Sequence, residues 1–493
     1  MIETVNIRNE KRLSDYADHA YLTAMVNDLR SQASALAWKL RGRSVWMVNS
    51  TANGGGVAEM LPKLISMLRE LGVRTEWAVV SPQEKDFFPL TKRIHNLIHD
   101  FGRPGFNSED AVLYDKISQE MARGLSRLVA PHDILVIHDP QPLGAGAWLK
   151  RQIGMKAIWR CHIGLDKCTP ASESAWNFLK AYADVYDRAV FSAQDYVPPF
   201  LADKTSIISP AIDPLSPKNK DLTGQELIDI LRRAGLVQNG HHPTAAPPWK
   251  RQAMRLQPGG AFTKAASGVD LGLMFRPIIA QISRWDRLKG WEYLLEGFLK
   301  LKRTYRVNGG RMSPRHRRMN ALQLLLVGPD PDAVQDDPEG TGVLQDLCSA
   351  YQNLSTEEQQ SVVLLTLPMA SREQNHLMVN AIQRCASVVV QNSVQEGFGL
   401  TATEAMWKKA PVLGTSACGL RQQIRPGIDG RLTSNPTDSD EISANLDEML
   451  SRPVNLKRWG LSAQRHVYER FLVFSQVEKW LRCLSEAIDN PVS

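Results

Sequence analysis

The chain has 493 residues, 43% of them hydrophobic and 23% charged, an ordinary balance for a globular protein in water and too long for one core. Two domains of roughly 200 residues each are expected, and no run of about 18 apolar residues offers a membrane-spanning helix. The formal net charge of +7, with a sequence pI near 9.0, favours anionic ligands without singling out nucleic acid.

In chain order, the N-terminal "MIETVNIRNEKRLSDY" is polar and lacks the apolar centre of a signal peptide. Six cysteines (161, 168, 348, 385, 418 and 483) are scattered, so a reduced, cytoplasmic setting is the simplest expectation. "SVWMV" reads as a buried strand, and Gly54, Gly55 and Gly56 follow it. Val57, Met60, Leu61, Leu64, Ile65, Leu68 and Leu71 then recur at helical spacing, closed by Gly72. "TEWAVV" (75–80), "DILVIHD" (133–139), "KAIWRCH" (156–162), "RAVFSA" (188–193) and "TSIISP" (205–210) continue as strands. Their apolar runs lack strict alternation, as in parallel strands covered on both faces.

"AIDPLSPKNK" (211–220) has two prolines and no apolar period, which predicts an interdomain linker. A short helix is expected from Glu226 to about Ala234, stopped by Gly235. The Pro-, Gly- and Ala-rich stretch 239–268 reads as an insertion or a disordered loop. A second strand series begins at "RPIIAQIS" (276–283) and continues with "LQLLLVG" (322–328), "SVVLLTL" (361–367), "SVVVQNS" (387–393) and "APVLGTS" (410–416). Ser371 and Gln374 predict a capping box, and the C-terminal segment is helical. The fold class is therefore α/β, with two doubly wound, Rossmann-like domains at 1–215 and 216–469. The helix at 470–493 is expected to pack back on the first domain. Ligands of such sheets bind at the carboxyl ends of the strands, and both sets of carboxyl-end loops are expected around one cleft.

The residues most suited to chemistry lie in those loops. In "QEGFGLTATEAMWKKAPVLG" (395–414), Glu396 and Glu404 flank a Gly397-Phe398-Gly399 turn that opens a helix near Leu400. Backbone N–H groups at such a helix start receive an anion, and the glycines let it approach. Glu404, one turn in, can accept hydrogen bonds from a ribose diol, and Glu396 can reach sugar hydroxyls. Arg284 and Lys289 follow another strand end, where two cations suit a diphosphate whose charge grows as it leaves. Arg160 and His162 end a third strand and His138 and Asp139 a fourth.

Cys161, Cys168 and His162 match no zinc spacing, and Asp330 and Asp332 in "GPDPD" read as a rigid turn, so no metal is expected. The basic segment 302–320, with seven Lys or Arg in nineteen residues, reads as a solvated loop rather than a nucleic-acid site. Neither a P-loop nor a Gly-x-Ser-x-Gly elbow is present, and the triple glycine does not fit Gly-x-Gly-x-x-Gly.

These stretches resemble the retaining glycosyltransferases of family 4. More narrowly, the chain is similar to the trehalose glycosyltransferring synthases and the related retaining trehalose phosphorylases. "NSTANGGGVAEML", "FFPLTKRIHN", "HDPQP", "WRCHI", "AIDPLSPKN", "QISRWDRLKG", "LLLVGPDPDAVQDDPEG" and "EGFGLTATEAMW" carry the resemblance. It implies the GT-B fold and transfer of glucose from a nucleotide sugar to free glucose, with no cofactor. The partners are then a nucleotide-sugar donor and a small sugar acceptor; nucleic acid and a membrane span are not expected, and a homodimer is allowed.

By the same resemblance, Arg284 and Lys289 hold the diphosphate, Glu404 the ribose, and Glu396 with the backbone of Gly397, Phe398, Gly399, Leu400 and Thr401 the donor sugar and phosphate. His162 contacts the donor glucose, Asp139, Gln141 and Arg160 face the acceptor, and Gly54 to Gly56 leave room for the donor. A family-4 transferase with a glycerate-type or glycerol-type acceptor and a trehalose phosphorylase are the alternatives. The chain departs from the family pattern at 239–268, at 302–320, and at Gly164, where Asp is usual.

Overall fold

The computed structural model describes residues 2–7, 11–52, 55–237, 247–266, 271–306, 312–331 and 338–489. The chain divides into two compact units, one of Met1–Ala211 with Val473–Ser493 and one of Ile212–Leu472.

In the first unit the strands are β1 (Ile2–Thr4), β2 (Val45–Asn49), β3 (Thr75–Val80), β4 (Ile134–His138), β5 (Lys156–Arg160), β6 (Arg188–Phe191) and β7 (Thr205–Ile207). Among the described residues they form one sheet, in the order β1-β3-β2-β4-β5-β6-β7. All neighbours are parallel except β1, which runs antiparallel along β3. From β2 the chain steps outward to β3, then returns to place β4 on the other side of β2. That reversal opens a crevice at the carboxyl ends of β2 and β4, where ligands of such sheets bind. The C-terminal helix Val473–Asp489 packs on helices Ala20–Leu36 and Gly55–Glu70 and on β5, and its Trp480 is buried.

The second unit contains β8 (Met254–Leu256), β9 (Phe262–Lys264), β10 (Ile278–Ile282), β11 (Gln323–Pro329), β12 (Val362–Leu367), β13 (Val388–Val390), β14 (Val412–Thr415) and β15 (Gly430–Thr433). Their order among the described residues is β15-β14-β13-β10-β11-β12-β8-β9, so the reversal falls between β10 and β13. Alternate residues bury on opposite faces. Ile279, Leu324, Leu326, Val362 and Leu364 join Trp285, Trp291 and Phe298 on one side. Ile278, Ala280, Leu325, Val363 and Leu365 join Leu231, Met378 and Ile382 on the other. This two-sided burial is why the strands read as continuous apolar runs.

The structure refines several sequence expectations. First, within the stretch expected to be an insertion or a disordered loop, residues 247–266 are ordered around the β8–β9 hairpin, with Trp249, Ala253, Leu256 and Ala265 buried. The hairpin pairs antiparallel with β12 and so covers an otherwise open sheet edge. The remainder of 239–268 lies outside the described residues. Second, the stretch 211–220 does lie where the two units divide, and it is held by specific bonds within the second unit. Ile212 bridges to Leu472, buried Asn219 donates to the Asp213 carbonyl and Ser216 Oγ, and Asn380 Nδ2 donates to the carbonyls of Pro217 and Lys220. Amide-to-carbonyl bonds hold it, which leaves no apolar period to read.

Third, the basic segment is helical rather than a loop at Pro314–Asn320, capped by Ser313, while its arginines stay at the surface in exposed ion pairs. Arg303 pairs with Glu358, Arg306 with Glu357 and Arg315 with Asp447. Fourth, Ser371 accepts from Gln374 N–H, a single cap rather than the reciprocal box. The C-terminal helical segment is also interrupted, ending one helix at Arg470 and starting the next at Val473.

Candidate functional site

At the β10/β13 reversal the second unit holds a braced cluster of polar side chains. Gln281 Nε2 donates to the Lys289 carbonyl (2.8 Å), and its Oε1 accepts from Asn392 N–H (2.9 Å), tying the loops after the two strands together. Lys289 Nζ then lies 2.8 Å from Glu396 Oε2, with both side chains largely buried. The same oxygen accepts from Ser393 Oγ at 2.9 Å and Gln391 Nε2 at 3.1 Å. Arg284 does not join this group; its side chain is 63% exposed, 3.6 Å from Asp286. A buried ion pair is costly to break by removing one partner, so an anion that takes up part of the Lys289 charge must leave Glu396 with its other donors, Ser393 and Gln391.

Gly399 caps the helix Leu400–Trp407 in a left-handed conformation, φ +83°. A Cβ there would lie 2.8 Å from Leu420 Cδ2 and 3.0 Å from Glu396 Cγ, so a side chain would displace Glu396. Gly397 has open space around its Cα, Leu400 and Thr401 are half-buried, and the Phe398 ring is buried against Phe471. Phe398 therefore has only its backbone to offer a ligand. Glu404 is buried, with Oε1 3.0 Å from Lys218 Nζ, while its Oε2 is enclosed with no hydrogen-bond partner among the described residues. Behind it, buried Lys408 donates to the Glu404 carbonyl and to Asn219 Oδ1. Burial pushes the Lys408 ammonium down to about 7, against the pull of Glu404.

In the first unit, His138 ends β4 and Asp139 follows with φ +65°, a left-handed conformation that Asp tolerates better than most residues. This turn aims Asp139 Oδ1 at the His162 N–H, 2.8 Å away. Loss of hydration raises the Asp139 carboxyl to about 6, although the His162 N–H and Arg160 pull it down. Arg160, the last residue of β5, is buried; it donates to Ser192 Oγ at 3.0 Å, and its Nη1 has no partner among the described residues. Burial lowers its pKa to about 10. His138 Nδ1 lies 3.1 Å from His162 Nε2. Burial first, then the Arg160 charge, holds His138 near 3 and His162 well below the usual range, so both rings are neutral.

Gln141 is half-buried in the turn before the helix Leu143–Ile153. Gly55 and Gly56 open the helix Gly55–Glu70 after β2, and Gly54 lies outside the described residues. Gly164 has a packing cause, since a Cβ there would fall 2.3 Å from Tyr196 Cβ. Asp cannot stand at that position without moving Tyr196.

The structure thus brings Lys289 and Glu396 together, and Asp139, Arg160 and His162 together. Sequence reasoning missed Gln391, Ser393 and Lys218. Gln391 and Ser393 sit within the strand-end run "SVVVQNS", and buried polar residues at a strand end were the available signal. All six cysteines are free, and Asp332 lies outside the described residues. Among the described residues, no group of three His, Cys, Asp or Glu side chains suits a metal, and no helix is long and apolar enough to cross a membrane.

Residues 47–198 match the family model for the N-terminal domain of trehalose synthase, and residues 274–466 that for group 1 glycosyl transferases. A trehalose synthase from Pyrococcus horikoshii is 31% identical over 92% of this chain and 92% of its own length. A trehalose phosphorylase from Pleurotus pulmonarius is 24% identical over 90% of this chain and 58% of its own length. Among solved structures, one described as trehalose-6-phosphate from E. coli bound with UDP-2-fluoro glucose has a TM-score of 0.61 at 16% identity, covering 91% of this chain and 99% of that one. That likeness is one of fold, two α/β domains of the GT-B type, as the sequence led us to expect.

Proposed function

Because the chain belongs to the trehalose synthase family of GT-B glycosyltransferases, we propose that it forms trehalose by retaining transfer of glucose from a nucleoside-diphosphate glucose to free glucose. The observation that carries the nucleotide is Glu404. A buried carboxylate oxygen without a donor is costly, and a ribose hydroxyl supplies one. We take this as favouring transfer from a nucleotide sugar over phosphorolysis. The E. coli neighbour is described with a UDP sugar bound, and we extend a nucleotide sugar of this kind to the present chain.

In this reading Arg284 and Lys289 meet the diphosphate, together with the N–H groups from Gly397 to Thr401. Lys289 turns part of its charge from Glu396 to the phosphate, and Glu396 is then available to the donor sugar's hydroxyls. His162 contacts the donor glucose, Asp139, Gln141 and Arg160 bind the acceptor, and the Gly54–Gly56 turn admits the donor. The bond from the anomeric carbon to the phosphate oxygen breaks as the acceptor hydroxyl forms its bond on the same face. The leaving phosphate takes the hydroxyl proton. Arg284 and Lys289 stabilise the charge that grows on that phosphate, so no protein nucleophile or metal is required. His162, held neutral and weakly basic, orients a hydroxyl without removing its proton.

The test is incubation with UDP-, ADP- or GDP-glucose and free glucose, with the product identified by NMR. An α,α-1,1-linked disaccharide and stoichiometric nucleoside diphosphate are expected. Turnover only with trehalose and inorganic phosphate would replace this reading with the phosphorylase, and transfer only to glycerate or glycerol would replace the acceptor.

A further inference from the structure

The contact between the two histidines has a defined geometry. The ring centroids of His138 and His162 are 5.4 Å apart and their planes differ by 15°. That separation is the 3.1 Å distance from Nδ1 to Nε2 plus one ring radius on either side. The rings therefore meet edge to edge in nearly one plane, not face to face, and the contact is an in-plane hydrogen bond. Neither ring carries a second proton, because loss of hydration and the neighbouring Arg160 guanidinium both disfavour the charged form. One nitrogen of the pair must then donate and the other accept.

The neighbour on the far side of His138 decides which. His138 Nε2 lies 3.5 Å from the sulfur of Met47, a buried residue of β2. A thioether has lone pairs and no hydrogen to give, so for this contact to be a hydrogen bond the nitrogen must carry the proton. A neutral imidazole carries only one, which leaves Nδ1 of His138 bare and makes it the acceptor. His162 must therefore hold its proton on Nε2, and its Nδ1 is bare in turn. That nitrogen has no partner among the described residues, and His162 is half-buried. Most groups around the pair are engaged elsewhere, and Arg160 Nη1, a donor without a partner among the described residues, cannot be the acceptor that a protonated His162 Nδ1 would need. Asp139 Oδ1 is engaged with the His162 backbone N–H, Cys161 Sγ with the Ile163 carbonyl and Arg160 Nη2 with Ser192, and Trp480 faces the His138 ring at 6.4 Å.

We propose that His138 is a positioning residue that fixes the tautomer of His162, so that His162 presents a hydrogen-bond-accepting Nδ1, and not an N–H, to a sugar hydroxyl. The hydroxyl it reads is one that donates. This rests on the sugar-binding reading of the site, but the tautomer itself does not. A chain of Met47, His138 and His162 from two adjacent strands and the loop after a third sets the direction of every hydrogen bond up to the ligand. The arrangement would discriminate a hydroxyl from a group of similar size that can only accept, such as fluorine.

The experiment is long-range 15N–1H correlation NMR on the full chain labelled at histidine, without substrate. Signals are assigned by their loss in His138→Asn and His162→Asn. The expected result is a single tautomer for each ring, with the proton on Nε2 in both. His162 protonated on Nδ1, or doubly protonated at neutral pH, would overturn the proposal. In His138→Leu, His162 should sample both tautomers, whereas His138→Asn, whose amide oxygen accepts the same N–H, should return it to one. A merely structural role for His138 would not produce that contrast.

A kinetic arm reads the consequence with monofluorinated glucose donors. Fluorine at the hydroxyl facing Nδ1 should cost the wild type about tenfold or more in kcat/KM, and distinctly less in His138→Leu. An equal loss in both proteins would overturn the link from His138 to the sugar. Because the tautomer is read without turnover, its failure is distinguishable from failure of the transfer reaction.

Discussion

The site after β10 and β13 is finished with ions in pairs, Lys289 with Glu396 and, on the following helix, Lys218 with Glu404. The site after β2 and β4 is finished instead with two imidazoles kept neutral beside a buried arginine. Both stand where a doubly wound sheet reverses direction, so topology alone does not separate them. Their electrostatics do. Paired ions trade partners with an incoming charge, whereas neutral rings in a fixed tautomer offer directional bonds that suit uncharged hydroxyls. We read the first as the part that recognises the nucleoside diphosphate and the second as the part that recognises sugar.

The sharpest way to break this contrast is Lys289→Ala, expected to lower kcat by roughly 10²–10³, the scale of losing a group that stabilises growing charge. It should also lower the melting temperature, since Glu396 loses its cation while largely buried. Arg284→Ala should impair turnover with little change in melting, because that side chain is mostly in solvent. Near-normal turnover in both variants would remove the diphosphate assignment. Next in size, Glu404→Ala should raise KM for the nucleotide sugar more than it lowers kcat, by about 1.5–3 kcal/mol for a lost charged hydrogen bond. A fall in kcat at unchanged KM would place Glu404 elsewhere in the reaction.

On the neutral side, Gly164→Ala should cost about 1–3 kcal/mol by overpacking against Tyr196, read from denaturant unfolding. Wild-type stability in that variant would show that the glycine has some other cause. The smallest effect expected is that of Asp139→Asn. The Asp139 carboxyl is raised from 3.8 to about 6 in the fold, so its contribution to stability is present below pH 3.8 and lost as pH rises through 6. Asn keeps the oxygen that receives the His162 N–H but not the charge. The variant should therefore match the wild type near pH 4 and exceed it above pH 6, by about 1 kcal/mol once partial hydration is allowed for. A stability difference that does not change with pH would contradict an Asp139 that ionises in the fold at a raised pKa.

How far these features could be read beforehand follows from what holds each in place. "TEWAVV" is a strand over the residues its apolar run marks, and the Gly397-Phe398-Gly399 turn opens its helix at Leu400 as its glycines suggest. Elements held by backbone pairing at an edge were not legible. β1, β8 and β9 are each three residues long, too short to show an alternation, and the Pro-Gly-Gly between β8 and β9 reads as a loop. Nor could the sequence join residues far apart in the chain. Lys218 meets Glu404 across a segment read as a linker, and Met47, His138 and His162 become a chain of hydrogen bonds only once β2, β4 and β5 lie side by side. The motif positions were visible as residue types, and their partners were not.

The most direct test of the division of labour is calorimetric binding of a nucleoside diphosphate carrying no sugar. UDP, ADP and GDP should be compared on the wild type, Arg284→Ala and His162→Ala, with the tightest of them taken as the probe. The account predicts that Arg284→Ala weakens this ligand about tenfold or more, on the scale of a charge-assisted hydrogen bond, while His162→Ala leaves its Kd unchanged. Loss of binding in His162→Ala with full affinity in Arg284→Ala would contradict it.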